Sequence, residues 1–284
     1  MKSLFDKIKL KRILIAASWI VVITGLLLTL GFVNHEEKLV KGKDLNINID
    51  YSNNNLFIDA MDIQDFLRSR NDSVKGRNLS DVDINKIEKS LLTHPAVFSA
   101  QVSLSIDGNM KIAIKQRDPL VRVFNSSGES FYIDKQARLM PLSENYTAKV
   151  PVATGFIWEG FAASNKFNFQ EIFADSKLSG MFVLDDIYSM ANYISKDTLL
   201  SVFIHQINVN RNKEFELFPA VGDQKILFGK CDNFQKKFEK LKIFYKEGLN
   251  NINGWNNYCS IDLRFEGQVI CKKKQITEPV KKDI

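Results

Sequence analysis

The chain has few of the residues from which disulfide scaffolds and many enzymes are built. Only three cysteines (Cys231, Cys259, Cys271) and three histidines occur in 284 residues. Three cysteines cannot staple a chain of this length, and scattered Cys and His do not make a zinc site. No metal and no cofactor is expected. Proline (6) and glycine (14) are scarce, which excludes collagen-like repetition and flexible low-complexity sequence. No P-loop, H-E-x-x-H, G-x-S-x-G or S-x-x-K pattern occurs, so the common hydrolytic chemistries have no visible carrier. No internal repeat is evident.

A basic body is also lacking. The net charge is +6, but residues 1–12 hold five Lys/Arg against one Asp, and residues 272–284 hold five Lys against two acids. The stretch between is near neutral. Nucleic-acid-binding domains carry their basic face on the fold itself, so no nucleic-acid partner is expected. The tail 272–284, charged and containing Pro279, reads as disordered.

What the chain does contain is one long apolar run. Ile13 to Val33 has no charged residue, and its polar members are Ser18, Thr24 and Thr29. A run of that length at about 1.5 Å per residue matches the thickness of a bilayer core. Lys2, Lys7, Lys9, Lys11 and Arg12 precede it, and His35, Glu36, Glu37 and Lys38 follow it. The positive-inside rule then makes 1–12 a cytoplasmic tail and 13–33 a single transmembrane helix, with the rest outside. The other reading is a cleavable signal peptide, whose apolar region is shorter, about 7–15 residues. The exit sequence Thr29-Leu30-Gly31-Phe32-Val33 lacks an A-x-A-like cleavage site, which favours an anchor.

After the anchor, Leu45, Ile47, Ile49 and Tyr51 alternate as in a strand. From Asp59, the residues Met61, Ile63, Phe66 and Leu67 predict a helix. Ser80 followed by Asp83 resembles a capping box and predicts a second helix carrying Ile84, Ile87, Leu91 and Leu92, stopped by Pro95. Two alternating strands follow, around Val102 and Ile112, joined at Asp107-Gly108. The order strand–helix–helix–strand–strand over 38–118 is met most simply by two helices on one face of a three-stranded sheet.

The segment 119–271 is richer in strands: Leu120–Phe124, Phe131–Ile133, Val202–Val209, Glu214–Pro219 and Lys225–Phe228. Helices are predicted over Leu178–Ile194 and over 232–249. In the latter, Phe234, Phe238, Leu241, Tyr245 and Leu249 form one stripe. Tyr258 to Cys271 reads as a single strand. Ile261, Leu263, Phe265, Val269 and Cys271 fall on one face, and Asp262, Arg264, Glu266 and Gln268 on the other. The fold class is α+β.

Candidate chemistry is sparse. His94 reads as a helix-end residue and His205 as an ordinary strand residue. Asp185-Asp186 reads as a solvated helix edge, because adjacent helical residues do not face each other. Asp134 reads as a turn residue after a strand. Lys236, Lys237, Lys240, Lys242 and Lys246 read as the wet side of a core helix, with anionic lipid as the alternative. Cys259 and Cys271, placed on one strand, would be separated by about 30 Å of extended chain and so be free. The final strand has two open readings. Lys272-Lys273-Lys274 are gatekeepers of an exposed sheet edge, or a partner lays a segment along that edge with Gly267 permitting close approach.

Four stretches together resemble the FtsQ/DivIB family of bitopic bacterial cell-division proteins. They are the basic tail with its membrane helix; Leu91-Leu92-Thr93-His94-Pro95-Ala96-Val97-Phe98-Ser99-Ala100-Gln101-Val102; Ile112-Ala113-Ile114-Lys115-Gln116-Arg117-Asp118-Pro119 with Tyr132-Ile133-Asp134 and Pro151 to Gly155; and Ile226-Leu227-Phe228-Gly229, the Lys-rich helix and Ile261-Asp262-Leu263-Arg264-Phe265-Glu266-Gly267-Gln268-Val269. Two departures stand out. Gln116 replaces the acid of the family's E-R-x-P, and Asp107-Gly108 replaces its hairpin proline. The resemblance implies a POTRA domain (β-α-α-β-β) at 38–118, a β domain with packed helices at 119–271, and no enzymatic activity. It implies a divisome scaffold in the cytoplasmic (inner) membrane at the septum. The implied partners are an FtsB/DivIC-like and FtsL-like pair, an FtsW/FtsI-type synthase and an FtsK-like protein. It makes Arg264, Phe265, Gly267 and Gln268 the contact positions, with Arg264 donating a salt bridge to an acidic partner; by parity alone Phe265 would instead be core. The competing class is a POTRA-bearing envelope chaperone or translocation component.

Overall fold

The computed structural model describes residues 17–29, 41–51, 55–73, 75–105, 107–161, 171, 182–249 and 257–274. Residues 17–29 form helix α1. Its large side chains are exposed, Trp19, Ile20 and Leu27 among them. Its two threonine hydroxyls are turned onto the helix's own carbonyls, Thr24 Oγ1 to Ile20 O at 2.8 Å and Thr29 Oγ1 to Leu26 O at 2.9 Å. Among the described residues no helix is long and apolar enough to cross a membrane. The ends of the expected 13–33 span, the 1–12 tail and most of the 272–284 tail lie outside the described residues.

The rest divides into two compact units. In the first, the described elements are β1 (Leu45–Asp50), α2 (Ala60–Ser69), α3 (Ile84–Leu92), β2 (Val97–Leu104) and β3 (Met110–Gln116). The sheet order is β1-β3-β2, with β1 parallel to β3 and Ile47 opposite Ile112. Asp59 starts α2 through a reciprocal cap. Its carboxylate accepts from Asp62 N, and the Asp62 carboxylate accepts from Asp59 N. Ile63 and Leu67 of α2 are buried, but Met61 is 70% exposed. The predicted cap of α3 is corrected. Ser80 lies in a 3₁₀ turn, and Asp83 caps the helix by accepting from Lys86 N at 3.0 Å. The Asp107-Gly108 turn is a hairpin turn as expected. Gly108 has φ +95, and a Cβ there would meet Lys41 O at 2.5 Å, so both backbone and space require glycine.

The second unit takes Tyr51–Ile58 together with the chain from Gln116 onward. Gln116 holds that early segment. Its Oε1 accepts from Phe57 N at 3.0 Å and Ile58 N at 3.2 Å, and its Nε2 donates to Asn55 O at 2.8 Å. Beside it, buried Arg117 pairs with Asp134 at 2.9 Å. Asp134 also accepts from Gln136 N and Arg138 N, so it is a turn residue with a buried ionic partner.

The described strands of this unit are β4 (Pro119–Phe124), β5 (Ser130–Asp134), β6 (Leu139–Met140), β7 (Val152–Gly155), β8 (Ile204–Val209), β9 (Phe215–Pro219), β10 (Lys225–Gly229), β11 (Tyr258–Asp262) and β12 (Ile270–Lys273). The sheet order is β12-β11-β10-β9-β8-β7-β4-β5-β6. β4–β7, β7–β8 and β10–β11 are parallel, and hairpin neighbours such as β8–β9 and β11–β12 are antiparallel. Parallel neighbours need a crossover. Helix α4 (Val183–Lys196) and the helical turn α5 (Leu200–Phe203) lie between β7 and β8, and α6 (Phe234–Ile243) lies between β10 and β11. Ile187 and Ile194 of α4 and Phe238 and Leu241 of α6 join Val121, Ile207, Leu217, Ile226 and Ile261 of the sheet in one core.

Three further expectations are corrected by the structure. The strand expected from Val202 begins at Ile204, because Asp197 Oδ1 accepts from Leu199 N and Leu200 N and winds 200–203 into a helical turn. The helix expected over 232–249 changes at Phe244 to a π-helical turn, Phe244–Leu249, which keeps Tyr245 and Leu249 buried. Asp185 is 2% exposed rather than solvated, since the first turn of α4 faces the core. Asp186 is pushed above the usual carboxylate range by burial, despite a hydrogen bond from Cys231.

The largest correction concerns 258–271. It is two antiparallel strands and a turn, with Ile261 opposite Cys271 and Asp262 opposite Ile270. The parity argument therefore fails: Phe265, expected on the core face, is 44% exposed, and Asp262, expected on the wet face, is buried. Cys259 and Cys271 sit on facing strands rather than far apart, and all three cysteines are free.

Candidate partner-binding site

The residues expected at the contact edge are gathered on the loop 263–269, between β11 and β12. β11 runs parallel to β10, and Leu263 N extends the pairing to Leu227 O at 2.9 Å. There β11 ends, for a local reason. The carboxylate of Asp262 turns the chain by accepting from Arg264 N at 3.0 Å. It also grips the Arg264 side chain, with Nε at 2.9 Å and Nη2 at 2.6 Å. Burial pushes the Asp262 carboxyl up, but the hydrogen bonds and charge of Arg264 outweigh it, and the net shift is downward. The aliphatic stem of Arg264 lies over Gly229, where a Cβ would come within 2.8 Å of Arg264 Cγ. Gly267 turns the loop back at φ +74, with open space where its side chain would be.

The loop is also held from below. Lys240 of α6 donates to Leu263 O at 2.9 Å, Phe265 O at 2.6 Å and Gln268 O at 3.2 Å. Its pKa is lowered from the ordinary lysine value, chiefly by burial and next by the neighbouring Lys237 charge. A groove of about 490 Å³ lies between loop and helix, lined by Gly229, Lys230, Lys236, Lys240, Arg264 and Phe265 among others. Cations outnumber carboxylates on its walls, although Lys237 is paired with Asp232 at 2.8 Å.

Arg264, Phe265, Gly267 and Gln268 are thus side by side and all exposed. They occupy a turn rather than a strand. Arg264 is already bound to Asp262, so any outside carboxylate would share or compete for it. Phe265 on the loop and Ile270 at the start of β12 are exposed apolar side chains. Beside the loop lies β12, an edge strand of the nine-stranded sheet. Sequence reasoning missed Lys240, Asp262 and Gly229. The Asp262–Arg264 pair had a readable signal, since residues i and i+2 share a face in extended chain. Lys240 had none, because one lysine of a basic helix looks like its neighbours.

The five lysines named on the 232–249 segment are largely claimed by the fold. Lys237 bonds Lys230 O and Asp232, Lys240 the loop, and Lys242 both Asp197 and Glu239. This is the core-helix reading, with the solvated side tied down.

The two units correspond to two recognisable kinds of domain. Residues 40–115 match the POTRA-like domain family. Residues 118–272 match the family described as FtsQ/DivIB, C-terminal related. That second match covers more than half of the chain, and the protein belongs to the FtsQ/DivIB family of cell-division proteins. No curated protein matches the chain.

Proposed function

We propose that this protein is a non-enzymatic divisome scaffold. It is anchored in the cytoplasmic membrane by 13–33, with 1–12 in the cytoplasm and its POTRA domain (38–118) and β domain (119–271) outside, at the septum. It binds an FtsB/DivIC-like and FtsL-like pair through the loop 263–269 and the edge beside it, and so helps to assemble septal peptidoglycan synthesis with an FtsW/FtsI-type synthase and an FtsK-like protein. The observation that carries this reading is the family match over 118–272. The exposed loop supports it with a surface suited to contact: Phe265 and Ile270 offer apolar area, and Arg264 and the groove lysines offer positive charge. An amino-terminal fluorescent fusion at native level tests it. A band at midcell late in the cycle is the expected result. A uniform envelope signal through constriction would refute it and move the POTRA-bearing chaperone or translocation reading, favoured by the match over 40–115, to the front.

A further inference from the structure

The three carbonyls that Lys240 reaches come from one stretch of backbone, between the last β10–β11 contact and the first residue of β12. An ammonium has three N–H donors. All three are directed at this loop, from a partly buried position that disfavours a cation. Strand pairing fixes the loop's two ends, through Leu263 to Leu227 and Asp262 opposite Ile270. Asp262 fixes Arg264. Between them, the carbonyls of Phe265 and Gln268 converge on Lys240 from either side of Gly267.

We propose that Lys240 is a positioning residue for partner docking. By gathering the carbonyls of Leu263, Phe265 and Gln268, it sets the loop shape in which Phe265, Gly267 and Gln268 face outward together. It need not touch the partner. Removing its donors would leave the sheet intact and let the loop sample many shapes, so the ordering entropy would fall on the binding step. This rests on the docking reading above.

The test uses the full chain in nanodiscs, read by amide exchange and by titration with the co-expressed FtsB/DivIC-like and FtsL-like pair. Lys240→Met keeps the stem and removes the donors. It is expected to speed exchange across 263–269 about tenfold, to leave exchange in β10 and α6 unchanged, and to weaken affinity about tenfold. Lys240→Arg, which restores donors, is expected to recover most of both effects. Unchanged loop exchange overturns the proposal, as does exchange that rises equally in β10, since Lys240 would then support the whole sheet. A loosened loop with unaltered affinity also overturns it, provided Arg264→Glu still weakens binding. If Arg264→Glu has no effect either, the docking reading itself fails and the proposal falls with it.

Discussion

Gln116 stands where the resemblance leads one to expect an acid, and the structure predicts what an acid there would do. The side chain is 4% exposed. It accepts from two backbone N–H groups and donates to one carbonyl, Asn55 O, at 2.8 Å. Gln116→Glu preserves shape and both accepting contacts. It replaces the donor with an oxygen facing the Asn55 carbonyl. One lost hydrogen bond is worth about 1 kcal/mol, and an orphaned buried carbonyl about 1–3 more, so the expected deficit at neutral pH is about 2–4 kcal/mol. Protonating the new carboxyl restores a donor. Burial and the facing Asn55 carbonyl outweigh the two N–H donors, so its folded-state pKa is raised above the ordinary value of about 4.3. A group raised in the folded state contributes stability below its unfolded pKa and loses it as pH rises through the folded one. The deficit relative to wild type must then shrink on acidification. Urea denaturation of the full chain, followed by circular dichroism at about pH 7.5 and about pH 4.5, measures this. A deficit below about 0.5 kcal/mol, or one that does not change with pH, would refute the amide-donor argument.

Other outcomes follow from the same geometry. Arg117→Met strands the fully buried Asp134 and should cost about 3 kcal/mol by urea denaturation, at the low end for a broken buried pair because two backbone N–H groups still serve the carboxylate. Gly267→Val should cost about 1–2 kcal/mol through its positive φ, and Gly267→Asn much less; partner affinity by titration should fall in the same order. The pKa of His94 is lowered by burial first, with Arg70 adding to it against Asp62, and its Nδ1 accepts from Ala96 N at 3.2 Å. The unfolded chain binds that proton more readily, so stability of the first unit should rise with pH through the region of 6.5 and fall below it. His94→Asn should flatten that slope in a pH series of thermal melts; an unchanged slope would mean another group is responsible.

Much of the architecture was legible because it rests on short-range pattern. The alternation in β1 and β3 and the stripe of α6 are set by which side chains reach the core, and the Asp107-Gly108 turn by glycine's access to positive φ. Three of the failures share one cause, which is side chains bonding to backbone. Asp83 rather than Ser80 caps α3, Asp197 winds Leu200–Phe203, and Asp262 ends β11. A hydrophobicity pattern cannot see a carboxylate that accepts from an N–H two or three residues on. The alternation from Ile261 to Phe265 carried on past the turn and hid it, although Gly267 and the apolar run Val269-Ile270-Cys271 both interrupt the pattern. The positions of the four contact candidates were readable through family resemblance. Their fixing by Lys240 was not, because it is a contact between distant parts of the chain.

The order of the nine-stranded sheet has a consequence for biogenesis. From β7 to β12 each strand lies directly outside the one synthesised before it. Assembly can therefore follow chain order, with every arriving strand finding its template already exposed. A nascent chain halted after α6 would present bare β10, without β11 to cover it or Asp262 to turn the chain away. The loop 263–269 is closed at both ends only once this outward growth has run through β12, so the last segment made completes the shape of that face.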